Sequence, residues 1–273
     1  MGKNWFITGT SRGFGREWTI AALERGDKVA ATARKTASLA DLVTKYGDRI
    51  LPISLDVTNR EDCFEAVEQA KAQFGRLDVV VNNAGYGHFG FVDEIIEKEA
   101  RAQFDTNVFG ALWITQAALP HLREQRSGHF LQVSSIGGIT AFAGLGMYHA
   151  SKWALEALSD SLSKEVASFG IHVTLIEPGG FDTDWSGSSA VRSIPIEAYA
   201  AVKEQMVIDR KTRMKRGDHR ATAKAIMDIV DAETPPLRVF LGSFPLGIAK
   251  DEYAKRIATW EAWQDVSVAA QGD

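Results

Sequence analysis

The chain has 273 residues, of which 45% are hydrophobic and 24% charged, and its formal net charge is -4. This length can form one large α/β domain or two small ones, and the composition is that of a globular protein with a substantial core. A mildly acidic chain without a dominant basic block is poorly suited to non-specific nucleic-acid binding. No apolar run reaches the roughly 18 residues that a membrane-spanning helix requires.

The chain has one cysteine, Cys63, so it cannot form an intrachain disulfide. Cys63 and the histidines do not have the spacing of metal ligands, so no metal site is expected. The apolar residues 4–7 pass into glycines within a few positions, too soon for the apolar region of a signal peptide. We therefore expect a reduced, cytoplasmic protein.

The first segment has the order strand, glycine loop, helix. Residues 5–7 predict a buried strand, Gly9, Gly13 and Gly15 follow, and residues 16–25 have helical periodicity. Glycine permits a tight turn and a close approach of the backbone to a phosphate, and a helix N-terminus favours an anion. The order predicts a dinucleotide-binding loop; the alternative is a simple turn.

The second predicted strand, residues 28–34, indicates which nicotinamide cofactor binds. In dinucleotide-binding folds an acidic residue about 20 positions beyond the glycines binds the adenosine ribose, whereas an arginine accommodates a 2′-phosphate. This region offers Ala33, Arg34 and Lys35 and no acid, and Arg12 lies in the glycine loop. The pattern favours NADP(H) over NAD(H); the alternative is that both arginines are solvated surface charges.

Strands and helices alternate along the rest of the chain. Such alternation requires right-handed crossovers and a parallel sheet. The sequence therefore predicts an α/β fold of the Rossmann type, a doubly wound parallel sheet of seven strands between two helical layers. The further predicted strands are residues 50–57, 77–81, 129–133, 171–176 and 238–241, and the predicted helices are 38–46, 58–74, 97–124, 148–169 and 218–233.

Two polar residues in these elements are candidates for a functional role. Asp56 lies near the end of the third strand, where it either binds the adenine amino group or acts as a turn residue before the next helix. Asn107 lies inside the long predicted helix, where an asparagine competes with the backbone for hydrogen bonds. We therefore expect a polar function for Asn107.

Tyr148 and Lys152 are the candidates for acid–base chemistry. They lie four residues apart at the start of an amphipathic helical pattern, so their side chains share one face. A nearby cation favours the phenolate, and a tyrosine whose pKa falls from about 10 towards neutrality can exchange a proton with an alcohol or ketone oxygen. The alternative is a packed ring beside a lysine whose stem covers apolar surface.

Ser135 is a third candidate, because it follows the predicted strand 129–133 and precedes Tyr148 by thirteen residues. The end of a strand and the start of a helix can converge on one point. A hydroxyl placed there can hydrogen-bond a substrate oxygen whose negative charge grows during reduction.

The last third of the chain contains two less regular segments. Periodicity is lost over residues 181–217, and because ligands of α/β sheets sit beyond the carboxyl ends of the strands, we expect a substrate lid there. The basic run 210–216 is either a solvated helix face or a contact for an anionic substrate or carrier. The aromatic-rich tail 244–273 is expected to pack on the pocket or on a neighbouring subunit. No linker divides the chain, so residues 1–273 are expected to form one domain.

Several motifs occur in one order along the chain: Thr8-Gly9-x-x-x-Gly13-x-Gly15, Asn82-Asn83-Ala84-Gly85, Asn107, Ser135, Tyr148-x-x-x-Lys152, and Pro178-Gly179 with Thr183. In this order and spacing they closely resemble the short-chain dehydrogenase/reductase family. The resemblance covers about residues 4–185 and implies a Rossmann-type oxidoreductase.

The resemblance implies a catalytic tetrad of Asn107, Ser135, Tyr148 and Lys152. Tyr148 is the implied general acid/base, and Ser135 holds the substrate oxygen. Lys152 is implied to bind the nicotinamide ribose and to lower the pKa of Tyr148, while Asn107 anchors a water in a proton relay. Every position of the pattern holds the expected residue, which implies an active enzyme.

The resemblance also implies a set of cofactor contacts. The glycines line the pyrophosphate, Asp56 and Asn83 the adenosine side, and Thr183 the carboxamide, while the two arginines match NADP-preferring members of the family. The full predicted set is Gly9, Ser11, Arg12, Gly13, Phe14, Gly15, Arg34, Asp56, Val57, Asn83, Ala84, Gly85, Tyr148, Lys152, Pro178, Gly179 and Thr183.

The expected substrate is a hydrophobic ketone or secondary alcohol of steroid, retinoid or fatty-acyl type. The leading hypothesis is an NADP(H)-dependent carbonyl reductase or alcohol dehydrogenase; the rival is a regulator that uses the same fold to sense NADPH and bind a partner. The resemblance implies a homodimer or homotetramer. The candidate pocket residues, several of which alternatively fill the core, are Tyr86, Phe89, Phe142, Met147, Phe181 and Trp185.

Overall fold

A parallel sheet of seven strands lies at the centre of the computed structural model. The structure describes residues 2–187, 189–213 and 216–272, and for residues 207–213 it describes only the backbone. The strands are β1 (Asn4–Ile7), β2 (Lys28–Ala33), β3 (Ile50–Ser54), β4 (Val79–Asn82), β5 (His88–Phe89), β6 (Gly128–Val133), β7 (Ile171–Pro178), β8 (Val191–Arg192) and β9 (Arg238–Leu241). The α-helices are α1 (Gly13–Glu24), α2 (Ala40–Tyr46), α3 (Arg60–Phe74), α4 (Glu97–Phe104), α5 (Gly110–Gln125), α6 (Gly146–Val166), α7 (Ala200–Arg213), α8 (Thr222–Asp231), α9 (Pro245–Ala262) and α10 (Gln264–Ala269).

The strands of the large sheet follow the order β3-β2-β1-β4-β6-β7-β9, and every neighbouring pair is parallel. The chain moves outward from β1 to β3, returns to β4 beside β1, and then moves outward in the other direction. The strand order therefore reverses between β1 and β4, and open α/β sheets bind ligands at such a point. The predicted Rossmann-type fold with seven parallel strands is confirmed.

Side chains alternate between the two faces of the sheet, and each face has its own core. Trp5 and Ile7 of β1 pack on one face with Trp18 of α1 and with α8. Phe6, which lies between them, points to the other face, where α3, α5 and α6 pack. The central strands are buried on both faces, as is typical of a parallel sheet covered by helices.

The prediction that residues 97–124 are mostly helical is confirmed, and the structure divides the stretch into two α-helices. A π-helical turn, Asp105–Phe109, separates α4 from α5 and contains Asn107. A π-helical turn has hydrogen bonds from i to i+5 and occurs frequently at functional sites. The Asn107 side chain, described below, makes its hydrogen bonds to the loop after β4 and to α6.

The lid segment 181–217 contains more regular structure than its sequence indicates. It includes β8 and α7, and β8 pairs with β5 in a second, two-stranded parallel sheet. A strand of two residues is too short to show a periodic pattern. Of the basic run 210–216, only the Arg216 side chain lies within the described residues, where it donates a hydrogen bond to Ser186 Oγ at 3.3 Å. The side chains of 210–215 lie outside them.

The predicted aromatic-rich tail forms α9 and α10. Helix α9 begins at Pro245, a residue that is favoured in the first turn of a helix. Trp260 and Trp263 of the tail are exposed. Within the described part of the chain, no helix is long and apolar enough to cross a membrane.

Thr8, which follows β1, joins β1 to the loop after β4. Its hydroxyl donates a hydrogen bond to Val81 O at 3.2 Å and accepts two bonds at 2.9 Å, from the backbone N–H groups of Asn83 and Ala84. Thr8 is only 1% exposed, so water has little access to these groups. One hydroxyl therefore satisfies two backbone donors at the reversal point of the sheet.

We expect Thr8→Val to lower the free energy of unfolding by about 2–4 kcal/mol, because two buried N–H donors lose their acceptor. Thr8→Ser retains the hydroxyl and is the matched control, with an expected loss of about 1 kcal/mol for the missing methyl group. Urea denaturation of the three proteins measures the difference. Equal stabilities of the two variants would contradict this role of the hydroxyl.

Candidate active site

The predicted tetrad residues meet beyond the carboxyl end of β6. Ser135 follows β6, Tyr148 and Lys152 lie in the first two turns of α6, and Asn107 lies on the π-helical turn that packs against α6. Asn107, Tyr148 and Lys152 are buried and Ser135 is half-buried. The crossover from β4 to β6 through α4 and α5 brings these residues together.

The Ser135 side chain lies close enough to Tyr148 to lower the pKa of the phenol. Ser135 Oγ accepts a hydrogen bond from Gly137 N at 3.0 Å, at the start of a 3₁₀ turn, Ile136–Gly138. This bond fixes the position of the serine hydroxyl. A substrate oxygen at this point can receive hydrogen bonds from both hydroxyl groups.

Lys152 is buried beside the Tyr148 ring. Its Nζ donates a hydrogen bond to Val133 O at 2.7 Å and lies 5.8 Å from the centroid of the ring. Burial lowers the pKa of Lys152 to about 8, and the Glu156 carboxylate acts in the opposite direction. The ammonium group is thus held at the end of β6 in a poorly hydrated position.

The predicted lowering of the Tyr148 pKa by Lys152 is wrong for this structure. Burial raises the pKa of Tyr148 to about 12, and the Ser135 side chain lowers it by a smaller amount. Tyr148 is 7% exposed, and the indole of Trp185 packs on its ring with centroids 4.9 Å apart. The loss of phenolate hydration is the larger effect, so Tyr148 holds its proton at neutral pH.

The side-chain amide of Asn107 holds the loop after β4 against α6. Its Nδ2 donates to Tyr86 O and to Ser151 Oγ, both at 3.1 Å, and its Oδ1 accepts from Tyr86 N at 3.1 Å. Ser151 Oγ in turn donates to Tyr148 O at 2.7 Å. These bonds explain the buried asparagine, and its part in a proton relay stays a prediction.

The glycine loop has the backbone that a dinucleotide phosphate needs. Gly9 and Gly13 have positive φ angles of 71° and 59°, which other residues rarely adopt, and α1 begins at Gly13. Asn83 Nδ2 donates to Thr8 O and Gly9 O, and a Cβ on Gly15 would lie 2.5 Å from Gly9 O. The first N–H groups of α1 have no partner within the helix, so they are donors for an anion.

The loop after β4 lies between the glycine loop and the tetrad. A Cβ on Gly9 would lie 3.0 Å from Ala84 Cα. A Cβ on Gly85 would lie 3.1 Å from Asn107 Oδ1 and 3.8 Å from Lys152 Nζ. The predicted phosphate loop and the predicted catalytic residues are therefore adjacent.

The two arginines predicted to hold a 2′-phosphate differ in their surroundings. Arg34 is exposed just beyond the end of β2. Arg12 Nη1 forms an ion pair with Asp184 Oδ2 at 2.7 Å, which connects the glycine loop to the lid. Ser11, beside Arg12, is exposed. Both arginines follow the carboxyl ends of neighbouring strands, β1 and β2.

Asp56 has the contacts of a turn residue. Its Oδ1 accepts hydrogen bonds from Thr58 N at 3.0 Å and Thr58 Oγ1 at 2.8 Å. Val57 is buried, and its backbone oxygen accepts a hydrogen bond from Cys63 Sγ at 3.4 Å. The predicted contacts of Asp56 and Val57 with the cofactor stay predictions.

The segment after β7 leads from the sheet to the lid. Pro178 ends β7, and a Cβ on Gly179 would lie 2.7 Å from the Phe244 ring, so a glycine is required there. Thr183 lies 3.9 Å from the position that a Cβ on Gly13 would occupy. The start of the lid is therefore next to the glycine loop.

Trp185 and Phe89 form an apolar cover over the tetrad. The centroid of the Trp185 ring lies 4.9 Å from that of Tyr148 and 5.1 Å from that of Phe89. Phe142 is 37% exposed, and Met147 is half-buried in the first turn of α6. Of these residues Trp185 packs directly on the Tyr148 ring, whereas the Phe142 ring packs on His149 at 5.5 Å.

Phe181 lies apart from this cover. Its ring packs edge-on against Phe14 at 5.3 Å, and Phe14 stacks on Trp18 of α1 at 5.4 Å. A Cβ on Gly217 would lie 2.7 Å from the Phe181 ring. Phe14 and Phe181 thus pack against the core on the α1 side of the sheet. Phe181 therefore corresponds to the alternative stated above, in which some candidate pocket residues fill the core.

Comparison with known proteins identifies the family. Residues 3–192 match the family model described as short chain dehydrogenase. The chain belongs to this family. An oxidoreductase of Botryotinia fuckeliana, BOA17, is 40% identical over 275 residues, which cover 99% of this chain and 100% of the relative. A 3-ketodihydrosphingosine reductase of Bacteroides thetaiotaomicron is 36% identical over 241 residues, 86% of each protein.

Solved structures of short-chain dehydrogenases have the same fold. One from Streptomyces avermitilis is 40% identical, with a TM-score of 0.91 and 98% of each chain covered. One from Burkholderia cenocepacia, solved in complex with NADP, is 28% identical and has a TM-score of 0.76. The match covers 96% of this chain and 97% of that chain. This short-chain dehydrogenase is therefore an oxidoreductase with a Rossmann-like fold, and the NADP complex supports a nicotinamide cofactor.

The lid of this dehydrogenase is docked on buried polar groups that the sequence did not reveal. Glu94, between β5 and α4, accepts hydrogen bonds from Ile196 N and Phe91 N, both at 2.8 Å, and forms an ion pair with Lys203 of α7. The Glu94 side chain is inaccessible to solvent. The ion pair with Lys203 and the bonds from the two backbone N–H groups lower the pKa of Glu94 to about 2.

A second polar contact lies beside β8. Ser193 Oγ donates to Glu99 Oε2 at 2.7 Å and lies 3.1 Å from His88 Nε2. The bond from Ser193 lowers the pKa of Glu99, while burial raises it. The partners in these two contacts are 94 to 109 residues apart, so no local sequence pattern signals them.

We expect Glu94→Gln to loosen the lid, because a neutral amide holds Lys203 and the Ile196 N–H less strongly than a carboxylate does. Hydrogen exchange at Ile196 N–H, followed by mass spectrometry, should be faster by about tenfold or more at pH 7. In the wild type, the Glu94 contribution is present above its unfolded pKa of about 4.5 and is lost as the pH falls through about 2.

The matched control for this prediction is Asp93→Asn. Asp93 is exposed and accepts a hydrogen bond from Tyr199 OH at 3.1 Å, so the control changes a neighbouring carboxylate at the surface. Exchange at Ile196 should stay at the wild-type rate in this variant. Equal exchange rates in Glu94→Gln and Asp93→Asn would show that Glu94 does not hold the lid.

Proposed function

We propose that this chain is an NADP(H)-dependent oxidoreductase that transfers a hydride between the nicotinamide and a hydrophobic ketone or secondary alcohol. The observation that carries the proposal is the buried Tyr148 ring, which has Lys152 Nζ 5.8 Å from its centroid and the Trp185 ring 4.9 Å away, with the Ser135 side chain beside it. This arrangement supports the assignment of three functions to one edge of the sheet: a proton donor, a hydroxyl that binds the substrate oxygen, and a loop that binds phosphate.

Tyr148 is the proposed general acid. Because burial raises its pKa to about 12, the hydroxyl keeps its proton at neutral pH and can donate it to an oxygen that gains negative charge. Ser135 holds the same oxygen through its hydroxyl. Oxidation of an alcohol requires the Tyr148 phenolate, which burial makes costly, so we expect the oxidation rate to rise with pH up to about 12. The cofactor, when bound, supplies the hydride.

Lys152 and Asn107 are assigned supporting roles in the proposal. The Lys152 ammonium donates one hydrogen bond to Val133 O, which leaves further N–H groups for the hydroxyls of the nicotinamide ribose. The Asn107 amide is engaged by Tyr86 and Ser151, so we assign the water of the proton relay to its backbone carbonyl in the π-helical turn.

The proposed cofactor is NADP(H), with NAD(H) less favoured. The glycine loop would line the pyrophosphate, and Arg34 and Arg12 would hold the 2′-phosphate, since no acidic residue directly follows β2. Arg12 would then exchange or share its contact with Asp184 of the lid. The complex of the Burkholderia relative with NADP supports this choice.

A hydrophobic substrate is supported by the aromatic cover over Tyr148, formed by Trp185 and Phe89. Phe142 and Met147 are proposed as further pocket residues. The Bacteroides relative is named as a reductase of a keto compound, 3-ketodihydrosphingosine, which supports reduction of a ketone here.

The proposed organisation is a single domain over residues 1–273, with a substrate lid at 181–217 and a tail at 244–273. We propose a homodimer or homotetramer in the cytoplasm. The exposed Trp260 and Trp263 support packing of the tail on a neighbouring subunit.

We expect Arg34→Asp to weaken NADPH binding by about tenfold or more and to strengthen NADH binding, because a carboxylate repels the 2′-phosphate and accepts hydrogen bonds from a ribose. Titration of the purified protein with each nucleotide, followed by nicotinamide fluorescence, gives both Kd values. Lys250→Asp, the same charge change on the exposed side of α9, is the control. An unchanged preference between NADPH and NADH would contradict the NADP(H) assignment. If neither nucleotide bound, the assignment of the glycine loop as a phosphate-binding site would be contradicted.

We expect Tyr148→Phe to lower kcat for ketone reduction by about a hundredfold or more and to leave the Kd for NADPH unchanged, because the general acid is lost. Oxidation of NADPH with a panel of hydrophobic ketones measures the rate, and Tyr253→Phe, an exposed tyrosine, is the control. The rival hypothesis, an NADPH-sensing regulator, predicts binding without turnover in the wild type. The relatives named as oxidoreductase and reductase give that hypothesis no support.

A further inference from the structure

A buried pair of carboxyl side chains lies behind the candidate active site. Glu156 is on α6, one helical turn after Lys152, and Glu177 is near the end of β7. Glu156 is 6% exposed and Glu177 is 1% exposed. The proposed reaction assigns no role to either residue.

The two carboxyl groups share one cation. Arg238 of β9 has its Nε 3.0 Å from Glu156 Oε2 and 3.7 Å from Glu177 Oε1. Its Nη2 forms another ion pair, with Asp160 at 2.9 Å. Two buried carboxylates that face one guanidinium group repel each other in a poorly hydrated site, which favours the state in which one of them is protonated.

One oxygen of each carboxyl group is buried without a hydrogen bond. Among the residues that the structure describes, neither Glu156 Oε1 nor Glu177 Oε1 accepts a hydrogen bond. A carboxylate only accepts hydrogen bonds, whereas a protonated carboxyl group also donates one, so a single proton supplies the donor that these oxygens lack. Burial and the Glu156 charge raise the pKa of Glu177 to about 8.

The pair is connected to the tetrad through Lys152 and β6. The charge of Glu156 acts on Lys152 and opposes the effect of burial on the lysine pKa. Ser134 follows Val133, the residue whose carbonyl holds Lys152, and its hydroxyl lies near the Glu156 carboxyl group. A Cβ on Gly138 would lie 2.7 Å from Ser134 Oγ and 3.1 Å from Glu156 Oε1.

The charged groups that contact this cluster lie on α6 and β9. Arg238 of β9 contacts both carboxyl groups and also Asp160 of α6. Within the described ranges of the chain, Glu156 is the charged residue whose charge acts on Lys152.

We propose that Glu156 and Glu177 hold one proton between them and act as positioning residues for Lys152. With the proton in place the pair carries a single negative charge, which Arg238 balances. The charge on Glu156 helps to keep the buried Lys152 ammonium protonated, as the proposed ribose contact requires. The consequence for catalysis rests on the proposed function, whereas the shared proton does not.

Infrared difference spectroscopy tests the shared proton without a substrate. We expect the wild type to show a carboxylic-acid C=O band at neutral pH that disappears as the pH rises through about 8. The band should be lost in Glu177→Gln and in Glu156→Gln and retained in Glu165→Gln, an exposed control on α6. A wild-type spectrum without the band would overturn the proposal, and that result does not depend on any variant folding.

The effect on Lys152 can be measured by NMR titration of its ¹³Cε signal, assigned with Lys152→Met. Glu156→Gln should lower the titration midpoint by about one pH unit, because a nearby negative charge is lost. Glu177→Gln resembles the protonated carboxyl group and should shift the midpoint less, and Glu165→Gln should not shift it. An unchanged midpoint in folded Glu156→Gln would overturn the coupling.

The pH profile of kcat/KM for ketone reduction provides the catalytic readout. Its basic limb should move to lower pH in Glu156→Gln by the same amount as the Lys152 midpoint. A protein that shows the band and the midpoint shift but reduces no ketone would refute the proposed function and support the carboxyl pair. Ketone reduction by a protein that shows neither the carboxylic-acid band nor the shift of the Lys152 midpoint would refute the proposed role of the carboxyl pair and leave the proposed function intact.

Discussion

The structure depends on how the ends of β1 and β4 are joined where the strand order reverses. Backbone N–H and C=O groups that leave the sheet there need partners inside the protein. Thr8 and Asn83 supply them from their side chains. Gly85 then brings the same loop against Asn107 and near Lys152. The glycine loop and the candidate tetrad are therefore held together by one short segment after β4.

Burial dominates the electrostatics around that segment. Removal from water raises the pKa of Tyr148 and lowers that of Lys152, so each side chain is pushed towards its neutral form. A neutral tyrosine is a proton donor, which is the role that ketone reduction assigns to it. The charge of Glu156 acts in the opposite direction, because it raises the pKa of Lys152 whereas burial lowers it. The protonation states of the site are therefore set jointly by α6 and the strand ends on which it packs.

The proposed lid, segment 181–217, contacts the same site. Glu94 holds its backbone and α7, Asp184 connects it to Arg12 of the glycine loop, and Trp185 packs on Tyr148. If Arg12 holds a 2′-phosphate as proposed, cofactor binding would compete with its ion pair to Asp184. The proposal therefore predicts a link between cofactor binding and the position of the lid.

The sequence by itself determined the seven parallel strands and the glycine loop, which follow from the periodicity of side chains and the backbone freedom of glycine. The candidate tetrad came from the resemblance of the motifs to the family, which the shared edge of the strand ends made plausible for Ser135 and Tyr148. Only the tertiary structure decided the π-helical turn at Asn107, the packing of Phe181 on Phe14, the raised pKa of Tyr148 and the polar contacts of the lid. Each of these depends on groups from distant parts of the chain. Asn107 and Tyr86 are 21 residues apart, and Glu94 and Lys203 are 109 residues apart. Burial results from the packing of such distant groups, so no local sequence pattern reveals it.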